Sequence, residues 1–339
     1  MTLDEVCKNF NKKFKENLVQ KGISEYNYNR IPFTSPRLNY MTFGGIPRGK
    51  LIEFYGEEHG GKTTTALDIV ANYQQLPNAK TVLYADCENT LDTEWAEKLG
   101  VNVDELLLLK PTNQGAEDIF DFIVETIMTG DIGLVIIDSL GVMLSNQAME
   151  KNVADKTYGG IAMALTNFSK RAEGLCQRYG CTIIGINQMR DDMNSPYGGT
   201  TTVGGKAWRH NCIARFEFRH GKFIDEKGNE LSNRAEAPAG NLIQVAMTKN
   251  KSCPPTRRLG FYTLRYDDGI DYLADLCDVA MRFGAIQKSG GWFDIIDINT
   301  GEIIEGKIHG QSALIAYLNE NPEILKTLET LVNSKVSEG

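Results

Sequence analysis

The stretch Gly56-Glu57-Glu58-His59-Gly60-Gly61-Lys62-Thr63, followed by Thr64, fills the pattern G-x-x-x-x-G-K-[ST]. Its flanks are the ones that pattern requires. The apolar run 51–55 (LIEFY) precedes it as a strand, and Ala66, Leu67, Ile69 and Val70 follow at helical spacing. Consecutive backbone N–H groups and the positive end of the following helix then surround an anion. Lys62 adds a point charge for β- and γ-phosphates, and the Thr63 hydroxyl is placed to ligate Mg2+. A glycine-rich strand-to-helix turn without nucleotide is the competing reading; four matched positions in the right context set it aside. The segment predicts a nucleoside triphosphate site.

Working outward, apolar strands recur at 82–86 (VLYAD), 134–139 (LVIIDS) and 182–188 (TIIGINQ), with helical stretches near 92–99, 115–128 and 157–179. Unalternating strands separated by amphipathic helices predict a mostly parallel twisted sheet covered on both faces, hence an α/β fold. Later strands at 213–220, 242–250 and 261–266 have connections suited to antiparallel pairing. Beyond Asp267 a helix (271–283), a hairpin over 292–304 turning at Asn299-Thr300-Gly301, and helices at 311–319 and 322–336 predict a small α+β domain. The division expected is therefore 1–35 (helix and linker), 36–266 (core) and 267–339 (C-terminal domain). The first thirty residues read as a helix with Val6, Phe10, Phe14 and Leu18 on one face, docked on its own domain or on a neighbouring subunit. Pro36 to Arg48 reads as a turn-rich entry to the first core strand.

Bulk properties narrow the classes. The 339 residues are 42% hydrophobic, enough for a large core, and no apolar run approaches a membrane span, so no membrane partner is expected. Seven scattered cysteines form no C-x-x-C pair, and an odd count without a signal segment reads as reduced thiols of a cytoplasmic protein. A net charge of −8 excludes a wholly basic nucleic-acid coat but not a local positive channel.

Asp138 ends an apolar strand, where it would hold the Mg2+ shell through water; a helix-capping Asp is the alternative. Asp86 and Glu88 follow the strand 82–86 on the sheet edge where ligands gather. Glu88, with the longer arm, is the better general base for an attacking water, against a solvated loop acid. Asn187-Gln188 ends another strand in line with these, as a γ-phosphate sensor or an ordinary strand-end cap. Residues 189–206 follow without regular pattern, rich in glycine and threonine. From Arg190 to Lys222, six Lys/Arg (190, 206, 209, 215, 219, 222) face three Asp/Glu (191, 192, 217), an excess that fits a phosphate-backbone groove.

Taken together, GEEHGGKT, DCENTLD with Trp95, LVIIDS, GINQMR, TTTVGGKAW and MTKNK resemble the RecA family of homologous-recombination ATPases, in its bacterial and phage form. The resemblance runs from about Pro36 through the C-terminal domain. It implies a RecA-type core that forms helical filaments on single-stranded DNA, hydrolyses ATP with Mg2+ and pairs the strand with a homologous duplex. Single-strand-binding and loader proteins are further expected partners. It makes Glu88 the catalytic carboxylate and Gln188 the sensor linked to the DNA loop. Lys249 and Lys251, otherwise solvated charges on an edge strand, match a pair that reaches a neighbour's γ-phosphate. Asp92 and Trp95 match adenine contacts, and Tyr266 looks like the neighbour's residue on the base's other face. The DNA loops would be 151–159 and 189–205, with Lys170, Arg190, Gly204, Gly205 and Lys206 near the single strand. Departures are Met163 in place of a common Arg, the acidic pair Asp191-Asp192, and His210 in place of a Phe. A ring helicase of the same core, or an accessory paralogue without strand exchange, are the other classes to weigh.

Overall fold

The computed structural model describes residues 2–14, 19, 28–151, 160–191 and 199–336; of Asp191 only the backbone is described. Helix α1 (Leu3–Phe14) leads. The short strand β1 (Arg30–Ile31), helix α2 (Pro36–Thr42) and strand β2 (Ile46–Pro47) bring the chain to the core. Then come β3 (Leu51–Gly56), α3 (Lys62–Gln74), β4 (Thr81–Asp86), α4 (Thr93–Lys98), β5 (Leu106–Leu109), α5 (Ala116–Met128) and β6 (Ile132–Asp138). They are followed by α6 (Asn146–Met149), α7 (Gly160–Tyr179), β7 (Thr182–Asp191), β8 (Thr200–Thr202) and α8 (Gly205–Asn211). The core closes with β9 (Ala214–Ile224), β10 (Gly240–Asn250), β11 (Leu259–Arg265) and β12 (Gly269–Ile270). The C-terminal part holds α9 (Tyr272–Arg282), β13 (Ile286–Ser289), β14 (Trp292–Ile296), β15 (Ile303–His309), α10 (Gln311–Glu320) and α11 (Pro322–Val336).

The large sheet runs β12-β11-β10-β9-β3-β7-β6-β4-β5, with β8 paired to the outer part of β7. Strands from β9 to β5 are mutually parallel, while β10, β11 and β12 pair antiparallel. The unalternating apolar runs are explained by the two-residue strand period. Ile52, Phe54, Val82, Tyr84, Leu134, Ile136, Ile184 and Ile186 enter one core with α3, whereas Leu51, Leu83, Val135, Ile137 and Ile183 enter a second with α5 and α7. A third core, from Leu276 to Val336, belongs to the C-terminal part. All strands from β9 to β5 run the same way, so Gly56, Asp86, Asp138 and Gln188 arrive at one edge of the sheet.

Several expectations are corrected. Pro36–Thr42 is a helix rather than a turn, since Pro36 sits where a missing N–H costs nothing and Ser35 Oγ accepts from Leu38 N–H at 3.4 Å. Leu106–Leu109 forms an edge strand that periodicity did not announce, because four leucines carry no alternation. The segment 189–206 is partly regular: β7 continues to Asp191, and Thr200–Thr202 pairs back on Met189–Asp191 before α8 begins. The C-terminal hairpin is a three-stranded sheet including β13. Strand β10 is flanked by β9 and β11, but β11 covers only its residues 240–246, and Lys249 pairs on one side alone, with Arg215 of β9. Helix α1 is described only to Phe14, and α7 from Gly160; Leu18 and 157–159 lie outside the described residues.

Candidate nucleotide site and nucleic-acid interface

The loop 56–61 wraps the N-terminus of α3. Gly56 adopts φ 152°, and a Cβ there would lie 2.0 Å from the Phe218 carbonyl oxygen; Gly61 adopts φ 86° and caps α3 without a side chain. The first N–H groups of α3 therefore face outward into a cleft of about 930 Å³, the size range of a nucleotide-sized ligand. Glu58, His59, Gly60, Lys62 and Thr63 line its floor. Lys62 Nζ donates to Gly56 O at 3.2 Å and Glu57 O at 2.5 Å; burial lowers its pKa, and Asp138 and Glu88 pull the other way. An anion drawn to this cleft would be met by a desolvated ammonium.

Thr63 and Tyr84 hydroxyls both donate to Asp138 Oδ2 at 2.9 Å. Burial raises the Asp138 pKa, and these two hydroxyls offset it in part. Thr63 hydroxyl and Asp138 carboxylate are hard oxygen donors side by side, a set that fits Mg2+. Among the expected acids, geometry separates Asp86 from Glu88. Asp86 accepts from Thr90 and Leu91 N–H, both at 3.1 Å, and so shapes its own turn. Glu88 Oε1 accepts from Ser139 Oγ and, at 3.3 Å, from Gln188 Nε2. Ser139 and Tyr84 were quoted within their strands without a role; only the neighbouring strand ends reveal one.

Trp95 and Tyr266 line the same cleft. Trp95 Nε1 donates to Thr64 Oγ1 at 3.4 Å. Asp92 does not line this cleft: its Oδ1 accepts from Trp95 N–H at 3.0 Å and caps α4, the helix that carries the ring. Tyr266, expected from a neighbour, lines the same cleft as Trp95 within this one chain. His220, Phe223, Asn233 and Asn241 extend the wall, unanticipated because β9, β10 and their connection meet the loop only in three dimensions.

Residues 1–271 match the RecA N-terminal domain, and residues 274–337 match the RecA C-terminal domain. The chain belongs to the RecA family. Protein RecA of Fusobacterium nucleatum is 32% identical over 333 residues, 97% of this chain and 82% of that protein. Protein RecA of Clostridium perfringens strain SM101 is 31% identical over 299 residues, 88% and 79% of the two chains. Protein RecA of Cereibacter sphaeroides strain ATCC 17023 is 31% identical over 296 residues, 87% and 80%. This RecA-family chain is accordingly a recombinase of DNA recombination and repair and a DNA-dependent ATPase, and the ring-helicase reading is not favoured. The family is ATP-dependent, generally with Mg2+, binds DNA and forms filaments.

The remaining RecA-type positions are spread across the sheet. Asn241 lines the cleft at one end of β10, and Lys249 lies eight residues along it, roughly 27 Å away at strand rise. Lys249 Nζ donates to Arg209 O at 2.8 Å and His210 O at 2.6 Å, the carbonyl end of α8. Its pKa is lowered by burial, then by Lys251. Through Arg215, Lys249 stands level with Glu53, three residues before Gly56 and two strands away, so about 14 Å separates it from the start of its own phosphate loop, and its ammonium turns to α8 instead. Arg190 Nη2 donates to Gly141 O at 2.6 Å, Lys206 and Lys170 are exposed, and Gly204-Gly205 begin α8. Met163 is 62% exposed on α7. Of the expected loops, 152–159 and 192–198, with Asp192, lie outside the described residues. Half of the expected basic excess meets acids within the chain. Arg215 is paired with buried Glu53, Arg219 with Glu217 and Lys222 with Glu230, which leaves Arg190, Lys206 and Arg209 beside the loop. No helix is long and apolar enough to cross a membrane among the described residues.

Proposed function

We propose that this chain assembles as a helical filament on single-stranded DNA, hydrolyses ATP between adjacent protomers and pairs the bound strand with a homologous duplex. The observation that carries it is that Lys249 Nζ is turned to the carbonyl end of α8 and away from its own phosphate loop. With Lys249 so turned, a γ-phosphate site that uses it and Lys251 is complete only between two copies.

Within it, the N–H groups of 56–64 and Lys62 bind the triphosphate, and Trp95 and Tyr266 stack on the base. Asp92 acts through the start of the Trp95 helix. Thr63 and Asp138 would hold Mg2+, Asp138 through water; when bound, the ion screens the β- and γ-phosphate oxygens. Glu88 takes the proton of the attacking water, held by Ser139 and Gln188. Lys249 and Lys251 stabilise charge from the next protomer. Gln188 passes nucleotide state to the loop at 189–205, where Arg190, Gly204, Gly205 and Lys206, with Lys170, contact the strand.

Assembly has two complementary faces. Helix α1 buries none of its residues and exposes Leu3, Val6, Phe10 and Phe14 beside Lys8, Lys12 and Lys13. Edge strand β5 and helix α5 expose Leu107, Leu108, Phe122 and Met128 near the acidic Glu117, Asp118, Asp121 and Glu125. An uncovered apolar edge strand is a pairing surface, and the opposite charges orient the partner. The units read as 1–35 for docking, 36–266 for catalysis and DNA loops, and 267–339 as an appended domain, in a cytoplasmic protein served by single-strand-binding and loader proteins.

The decisive experiment is joint-molecule formation between labelled single-stranded DNA and duplex, homologous or scrambled, with Mg2+ and ATP. Homology-dependent products are expected. Binding without pairing would move the chain to a non-exchanging accessory role and make Met163 and His210 the first suspects.

A further inference from the structure

Glu53 is a carboxylate with no exposed surface, in the middle of β3 and three residues before Gly56. Both of its oxygens are engaged. Asn187 Nδ2 donates to Oε1 at 2.9 Å, and Arg215 Nε pairs with Oε2. The same Asn187 amide also donates to Val203 O at 2.8 Å, and Arg215 Nη2 donates to Thr202 Oγ1 at 3.3 Å. The Arg215 guanidinium lies 4.4 Å from the centre of the Tyr55 ring, whose hydroxyl donates to Thr248 Oγ1 at 2.8 Å. One buried charge thus ties together four segments. Strand β3 leads to the phosphate loop, β7 leads through Asn187 to Gln188, Thr202–Val203 lead to Gly204–Lys206, and β10 leads through Thr248 to Lys249.

An ion pair in this position is a poor stabiliser, because desolvating two charges cancels most of their attraction, and matched apolar side chains would serve the core as well. What the pair supplies is direction: a carboxylate and a guanidinium fork accept only a few placements of the groups around them. We propose that Glu53 and Arg215 form a positioning pair that couples nucleotide occupancy to the second DNA loop by holding Thr202–Val203 in register with Gln188. This rests on the reading of 189–205 as that loop, and adds residues that touch neither ATP nor DNA.

The test compares the intact chain with Glu53→Met/Arg215→Met, in which both charges are replaced at similar volume. Thermal unfolding, ATP hydrolysis without DNA, its stimulation by single-stranded DNA, and DNA affinity with a slowly hydrolysed ATP analogue against ADP are measured. The double variant should unfold near the parent temperature and hydrolyse ATP without DNA within about twofold of it. Stimulation should fall by about tenfold or more, and the affinity ratio between nucleotides should approach one. Stimulation equal to the parent's would overturn the proposal. If the double variant does not fold, Thr202→Val removes only the acceptor that Arg215 reaches and should lower stimulation severalfold; an unchanged response there overturns the proposal equally. Failure of the parent chain to respond to DNA would instead remove the functional reading on which the pair depends.

Discussion

Gln188 Nε2 donates to Glu88 Oε1 at 3.3 Å, so the side chain that ends β7 touches the carboxylate that follows β4. Two strands far apart in sequence thereby meet beside Thr63 and Asp138. With Ser139 donating to the same oxygen, the Glu88 carboxylate is held through Oε1, which leaves Oε2 as the oxygen for a proton in the proposed mechanism. Glu88→Gln keeps the shape and removes the base. Turnover should fall by about two orders of magnitude or more, while binding of a fluorescent ATP analogue stays within severalfold of the parent. Unimpaired turnover would assign the base elsewhere.

The Lys249 ammonium donates to carbonyls at the end of α8 in its own protomer, so Lys249→Ala should leave the isolated chain folded while lowering DNA-stimulated hydrolysis. A sharper form mixes two inactive variants. Glu88→Gln protomers retain Lys249, Lys249→Ala protomers retain Glu88, and roughly a quarter of interfaces in an equimolar filament would join one intact half of each. Recovered hydrolysis on mixing is expected; no recovery would place the lysine's role within one chain.

Helix α1 contributes nothing to the described core, yet its apolar stripe is the obvious docking element. Phe10→Asp should change the unfolding free energy of the protomer by less than about 0.5 kcal/mol. Sedimentation in the presence of single-stranded DNA and ATP analogue should show loss of large assemblies. Assemblies of normal size would mean that another surface joins the protomers.

Asp68 is buried on α3 with no cation beside it, and burial raises its pKa to about 6 despite donation from Thr34 N–H and Asn72 Nδ2. The folded state holds this proton more tightly than the unfolded state does. Its stabilising contribution is therefore full below the ordinary carboxylate pKa and lost as pH rises towards about 6. The loss is roughly 3 kcal/mol at most. Asp68→Asn should flatten the fall in urea midpoint between pH 4.5 and 7; an unchanged slope would show that other groups carry it.

The phosphate loop, Asp138, Glu88 and Gln188 were legible because parallel strands deliver their C-terminal ends to one edge, so a list of strand ends is already a list of neighbours. The same logic could not reach Tyr266, which follows antiparallel β11, or His220, which lies on β9 beyond its pairing with β3. It read β10 as an edge strand, whereas β11, from later in the chain, covers residues 240–246 and stops short of Lys249. Arg215, Arg219 and Lys222 looked like one basic patch because charges add along a sequence. In space each meets an acid, of which Glu53 lies on a different strand and Glu230 beyond the end of β9.

By itself the sequence determined the α/β class, the strand-loop-helix of the phosphate-loop pattern and the acids at the strand ends. Each of these follows from local periodicity and from a backbone motif that is complete within one segment. Only the tertiary structure decided that Glu88 meets Ser139 and Gln188 while Asp86 shapes its own turn, that Trp95 and Tyr266 line one cleft, and that Lys249 turns to the end of α8. Those are contacts between segments brought together by burial, and no spacing along the chain encodes them.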